Sequence, residues 1–246
     1  MRLQIVGSSG TYPAPGRPCA GYLIEQKGFP VLCDAGPGTF MSLPIDPDTI
    51  QAVVISHQHV DHCADLFAAF HAWTYRPEPR EGVPVYAPES AIEHILAFVD
   101  GGQGDAIHRT LDFRPVSGGD EVEIGPFTVR FADMFHPVPC VGSRWEADGR
   151  VLFYTGDTGP GGEWHETARD ADLMLAEAAF QEPPASGDAI HLTAAEAGRI
   201  ARRLGVKRLV LTHIPPYMDA SRSVHEAETA FDRPVALAVP GVGFDV

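Results

Sequence analysis

Hydrophobic and polar positions alternate in short runs over the first third of the chain, the pattern of half-buried strands. Residues 3–6, 20–25 and 30–34 carry such runs, separated by Gly7-Ser8-Ser9-Gly10 and Pro-rich turns. Residues 52–55, Ala-Val-Val-Ile, are continuously apolar, as in a strand buried on both faces. The period then changes: Leu66, Phe67, Phe70 and Trp73 recur at helical spacing, which predicts a helix over 61–74. A strand at 83–86, a helix at 89–98 and a loop at Gly101-Gly102-Gln103-Gly104 follow. Four further strands are predicted at 111–116, 121–124, 127–132 and 151–155. Helices near 163–169, 193–204 and 221–231 then alternate with strands near 173–177, 208–212 and 235–239. Thr193 stands three residues before Glu196, the spacing of a capping box.

No repeat, low-complexity tract or linker interrupts this order, so one domain over residues 1–246 is expected. Many strands with helices toward both ends imply an α/β (layered α+β) architecture of sheet against sheet, with helices outside. The hydrophobic share of 44% is ordinary for a globular chain and ample for a core. Charge is not ordinary. Thirty-three Asp and Glu against 18 Lys and Arg leave a formal net charge of −15. That disfavours folded nucleic acid as a partner, because a phosphate backbone seeks a basic face. A local cationic site could still hold one small anion. No run approaches the ~20 apolar residues of a membrane span, and the start lacks an export-type apolar segment. Cys19, Cys33, Cys63 and Cys140 stand singly, as reduced thiols would in a cytoplasmic protein, and Cys63 reads as a small buried hydrophobe.

The chemistry concentrates at His57-Gln58-His59-Val60-Asp61-His62, between an apolar strand and a helix. Three imidazoles and a carboxylate within six residues are a donor set for zinc, iron or manganese. Alternation puts His57 and His59 on one side, while the turn rotates Asp61 and His62 onward, so the segment could serve two neighbouring ions. Further ligand types follow later strands: His136 after 127–135, Asp157 in Thr155-Gly156-Asp157-Thr158, and His213 after Val210-Leu211-Thr212. Each alone reads as an ordinary strand-end residue. Their recurrence matches sites built where strand ends open into loops.

This ordered series, His-x-His-x-Asp-His, single His, Gly-Asp-Thr and Leu-Thr-His, resembles the metallo-β-lactamase superfamily over almost the whole chain. The resemblance implies a four-layer αββα sandwich with two divalent metal ions, zinc first, with manganese or iron as alternatives. It implies that one ion takes His57, His59 and His136 and the other Asp61, His62 and His213, with Asp157 between them. Asp34, in Cys33-Asp34-Ala35-Gly36, matches a residue that braces the His-rich loop.

His191-Leu192-Thr193, at a helix start, resembles the ribonuclease Z-like phosphodiesterase branch. There this histidine serves the scissile phosphate, with free helix N–H groups beyond it for an anion. The resemblance therefore implies Asp61 and His191 as catalytic residues, Asp61 orienting the attacking water and His191 donating a proton. In transfer-RNA 3′-endonucleases of that branch a long basic arm separates the single His from the Gly-Asp segment. Here His136 and Asp157 are only 21 positions apart, and Arg144 and Arg150 are the only basic residues between them. The chain is more similar to small cyclic nucleotide phosphodiesterases of the superfamily. The expected substrate is a small anionic phosphodiester, first a 3′,5′-cyclic nucleotide. Transfer-RNA processing, a cyclic ribose-phosphate phosphodiesterase, a lactonase, a sulfatase and a non-catalytic metal-bound scaffold are the alternatives, and a homodimer is compatible with all of them. Phe70, Trp73 and Tyr75 read as core before they read as a base-stacking surface. Ser8, Ser9 and Thr11 read equally as a plain turn or as phosphate contacts.

Overall fold

The computed structural model describes residues 1–99, 104–185 and 187–246. The predicted loop at 101–104 lies outside them except for Gly104, which opens a helix.

The first sheet holds β1 (Arg2–Gly7), β2 (Gly21–Gln26), β3 (Phe29–Cys33), β4 (Ala52–Val54), β5 (Val83–Ala87) and β6 (Leu111–Pro115). The second holds β7 (Glu121–Ile124), β8 (Phe127–Asp133), β9 (Val141–Ala147), β10 (Arg150–Tyr154), β11 (Leu173–Glu177), β12 (Leu209–Thr212) and β13 (Val235–Leu237). The last strand, β14 (Gly243–Asp245), returns to pair antiparallel with β1. The two seven-stranded orders are β14-β1-β2-β3-β4-β5-β6 and β13-β12-β11-β10-β9-β8-β7. In each sheet four neighbouring strands, β3–β6 and β10–β13, run parallel.

Period-two alternation explains the layering. Val31, Cys33, Ala52 and Val54 of the first sheet meet Leu152, Tyr154, Leu173, Leu175 and Val210 of the second in a shared core. Their neighbours Leu32, Val53 and Ile55 face the other way, onto α1 (Val60–Cys63), α2 (Leu66–Thr74), α3 (Glu89–Val99) and α4 (Gly104–Thr110). Phe153, Met174, Leu209 and Leu211 likewise face α5 (His165–Ala168), α6 (Ala194–Arg203) and α7 (Ala220–Phe231). The result is the αββα sandwich that the resemblance implied. Strands buried on both faces are why 52–55 and 209–212 read as unbroken apolar runs.

Three expectations are corrected. The helix over 61–74 is two helices. Asp65 N–H donates to Ala35 O at 2.7 Å, and its carboxylate accepts from Phe40 N–H at 2.9 Å, so the chain breaks its helical ladder there. β9 was not anticipated. Val141, Ser143, Trp145 and Ala147 are buried at period two, but Gly142, Ser143 and two charges dilute the apolar pattern. The Asp148-Gly149 turn joining β9 to β10 has φ of 49° and 74°, the doubly left-handed turn that a two-residue Asp-Gly hairpin uses. β14 is too short and polar to read as a strand without its partner β1.

The capping box at α6 is present as predicted. Thr193 Oγ1 accepts from Glu196 N–H at 3.2 Å, and the Glu196 carboxylate accepts from Thr193 N–H at 2.9 Å. Thr193→Ala should lower stability by about 1 kcal/mol and the melting midpoint by roughly 2–4 °C. Thermal unfolding followed by circular dichroism checks this, and an unchanged midpoint would remove the cap from the account.

Candidate metal centre

Four of the predicted site residues follow strand ends, while His59, Asp61 and His62 open or lie in α1 and His191 lies shortly before α6. β4 leads through Ile55 and Ser56 to His57. β8 leads to His136, β10 to Asp157 and β12 to His213, while β3 leads to Asp34. Asp34 (φ 58°) and His213 (φ 56°) sit in the left-handed region, which turns the chain sharply off the sheet. The structure brings all seven predicted ligands and His191 together.

They form two main donor sets, and a third group, Asp157, His191 and His213, overlaps both. His57 Nε2 is 2.9 Å from His59 Nδ1, which is 3.2 Å from His136 Nε2. In the second set His213 Nε2 is 3.1 Å from both His62 Nε2 and Asp61 Oδ2. Asp157 stands between the sets. Its Oδ2 is 3.7 Å from His57 Nε2, and its Oδ1 is 3.3 Å from His62 Nε2 and 3.5 Å from His213 Nε2. Ligand atoms on a tetrahedral ion with bonds of 2.0–2.1 Å are about 3.3 Å apart. The spacing within each set therefore suits one divalent ion, and His57, His59, His136 and Asp157, like Asp61, His62 and His213, could each hold a metal. The donor chemistry agrees. Ring nitrogens converge on one another, and Asp157 Oδ1 is buried without a well-formed hydrogen bond.

Electrostatics keep three of the ring donors, His57, His59 and His136, in the neutral form that binds a cation. Burial pushes His57 and His59 below the usual imidazole range and His136 down to about 4, so these rings are neutral at physiological pH. His62 moves the other way. Burial opposes its protonation, but the charges of Asp157 and Asp34 outweigh burial. Burial would raise Asp157 too, yet His213 and His62 hold its carboxyl well below the carboxylate range.

Asp34 is wholly buried and orients the His-rich loop. It accepts from Ser56 N–H at 2.7 Å, Ser56 O–H at 2.9 Å, Tyr154 O–H at 2.7 Å and His62 Nδ1–H at 2.7 Å. His62 Nε2 is thereby aimed into the site. Ser56 Oγ also lies 3.0 Å from His57 Nδ1 and can orient that ring in the same way.

Sequence reasoning missed Glu177 at the end of β11. It is fully buried and accepts from Thr158 N–H at 2.8 Å, Ala179 N–H at 3.0 Å and His191 Nδ1–H at 2.8 Å. A carboxylate closing an apolar strand was the available signal. His191 lies edge-on to His136 and stacks beside His213, with Nδ1 3.8 Å from Asp157 Oδ2. Burial lowers its basicity, but Glu177's charge and hydrogen bond, helped by Asp157, raise it to about 9. At the helix start beyond His191 the capping box engages Thr193 N–H and Glu196 N–H.

The Ser8–Thr11 turn serves the second donor set. Thr11 N–H donates to Asp61 Oδ2 at 2.8 Å, with Thr11 at φ 66°. Ser8 Oγ donates to Ala238 O at 2.8 Å, which gives that hydroxyl a structural partner. Phe70 and Trp73 are wholly buried in the helix-facing core, and Cys63 is buried with its thiol pushed up to about 12 by desolvation. Gly10 packs against His213, where a Cβ would run into the His213 carbonyl oxygen. Gly10→Ala should displace that turn, weaken the Asp61–His62–His213 set and leave His57–His59–His136 intact. The expected outcome is a metal content falling from two ions toward one per chain by elemental analysis. Full loading at wild-type affinity would refute this coupling.

Comparison with known proteins agrees with this geometry. The family described as Beta-lactamase superfamily domain matches residues 30–214. An uncharacterized protein of Mycobacterium leprae is 34% identical, with all of this chain and 89% of that one aligned. Ribonuclease Z of Methanopyrus kandleri is 29% identical over 93% of this chain and 92% of its own. The crystal structure of the metallo-beta-lactamase fold protein YhfI from Bacillus subtilis superposes with a TM-score of 0.86 at 27% identity, covering 99% of both chains. With most of its length matched and its donor residues gathered at the sheet ends, the chain belongs to the β-lactamase superfamily.

Proposed function

We propose that this protein is a two-metal hydrolase of small phosphodiesters, with a 3′,5′-cyclic nucleotide as preferred substrate. The observation that carries the reading is the pairing of two donor sets across Asp157 with a histidine, His191, held beside them by Glu177. When bound, two divalent ions, zinc first and manganese or iron next, supply Lewis acidity and lower the pKa of a water between them. The chain supplies the rest. Glu177 accepts the hydrogen bond of His191 Nδ1–H, which leaves Nε2–H to donate to a phosphoryl oxygen or the departing alkoxide. Thr11 N–H fixes one oxygen of Asp61, so this carboxylate can orient the attacking water. In this reading the bound ions, rather than a basic surface, would meet the substrate anion, which reconciles phosphodiester chemistry with an acidic chain. We place the protein in the cytoplasm. Among the described residues no helix is long and apolar enough to cross a membrane.

The second reading is transfer-RNA 3′ processing, favoured by the likeness to Ribonuclease Z of Methanopyrus kandleri. Against it, β9, the Asp148-Gly149 turn and β10 occupy most of 137–156, leaving no arm there to grasp RNA. Purified, metal-loaded protein should hydrolyse cyclic AMP or a close relative and lose that activity on chelation. Pre-tRNA should not be cut at its 3′ end. Efficient tRNA cleavage without cyclic nucleotide turnover would reverse the order of the two readings.

The roles of His191 and Asp157 separate by metal content. His191→Ala and Glu177→Gln should keep both ions, while His191→Ala loses roughly 10²–10⁴-fold in turnover. Asp157→Ala should lose metal as well as activity, because its two oxygens face different donor sets. Elemental analysis beside rate measurements is the check. Metal loss in His191→Ala equal to that in Asp157→Ala would make His191 a ligand.

A further inference from the structure

With Phe70 and Trp73 sealed in the core, an exposed aromatic next in sequence to a metal-site residue is Phe135. It directly precedes His136 and is 41% exposed. Its backbone is clamped: Phe135 N–H donates to Thr158 Oγ1 at 3.1 Å, and its carbonyl accepts from Gly159 N–H at 2.8 Å. Both partners lie within two residues of Asp157. The ring rests on a floor without side chains. A Cβ at Gly159 would come within 2.9 Å of Phe135 Cδ1, and one at Gly161 within 3.6 Å of its ring. Trp164 underpins that floor. It is buried, stacked at 3° on Phe153, and its Nε1–H donates to Gly161 O at 2.9 Å.

Beside the ring opens a cleft of about 510 Å³, lined by Phe135, Met134, Trp164, Gly162, Asp133 and Glu163 among others. That volume falls in the range of small-molecule sites. Its two carboxylates suit a ligand edge that offers N–H groups and would repel a second phosphate. Asp133 Oδ1 already accepts from Gly118 N–H at 2.8 Å, which holds that side chain at the cleft wall.

We propose that Phe135 and this cleft form the nucleobase subsite, in which the base of a cyclic nucleotide stacks on the Phe135 ring while its phosphate reaches the metal centre. This rests on the phosphodiesterase reading above and names the substrate part that sets specificity. The subsite favours a base with N–H donors on its exposed edge, and it admits one nucleotide rather than a polyanion.

The test uses the full-length, metal-loaded protein with two probes, cyclic AMP and its abasic analogue, ribose 3′,5′-cyclic phosphate. Base stacking on an aromatic ring is worth roughly five- to 150-fold in affinity. Phe135→Ala should therefore raise KM for cyclic AMP by at least about fivefold with kcat retained. The abasic probe should be handled equally by variant and wild type, and Phe135→Tyr should restore the wild-type KM. Binding is read independently from the NMR signal of the Trp164 indole N–H, assigned with Trp164→Phe. Cyclic AMP should move it and the abasic probe should not. Equal losses on both probes, or a Trp164 signal indifferent to cyclic AMP, would overturn the subsite. If neither probe is hydrolysed, the activity reading fails while the NMR titration still decides the base subsite.

Discussion

Burying a carboxylate between two sheets is costly unless its oxygens are fully engaged, and Asp34 meets that condition by drawing on both sheets. Ser56 and His62 come from the end of the first sheet, and Tyr154 comes from β10 of the second. Of the four hydrogen bonds, the one from Tyr154 ties the sheets together at the edge where the metal donors converge. The one from His62 sets which nitrogen of that ring faces the site. The site thus depends on the sandwich being closed, and a buried negative charge helps fix how it closes. Tyr22, whose hydroxyl is 2.7 Å from Thr212 Oγ1, makes a second polar link across the same core just before His213.

The parallel strands account for the convergence. β3, β4, β10, β11 and β12 each deliver one of the converging residues at the strand's last position or within three positions beyond it: Asp34, His57, Asp157, Glu177 and His213. Strands of one direction release their chains on one edge, where loops need not satisfy a hydrogen-bond ladder. That freedom lets Asp34 and His213 adopt left-handed backbone and aim side chains inward.

The same edge separates two kinds of charge control. Burial, helped by the charge of neighbouring histidines, keeps His57, His59 and His136 neutral, the form in which a ring nitrogen can bind a cation. Carboxylate neighbours instead raise His62 and His191, overcoming the same burial. One edge therefore holds imidazoles whose basicity is shifted in opposite directions.

The sequence by itself determined the alternation that makes two sheets, the strand ends that carry ligands and the cap of α6, because each depends on residues close along the chain. His57, His59, Asp61 and His62 were legible for that reason, and His136, Asp157 and His213 through their ordered recurrence after strands. The pairing of these residues into two sets, with Asp157 facing both, was decided by the tertiary structure, because the distances run between strands of different sheets. The same holds for Glu177, whose partner His191 is 14 positions away, and for Thr11, which reaches Asp61 across 50. The aromatic assignment shows the limit most sharply. Phe70 and Trp73 share a helical spacing that only packing could assign to the core, while Phe135 has no periodic signature at all. Its exposure follows from a glycine floor contributed by a loop more than twenty residues further along the chain.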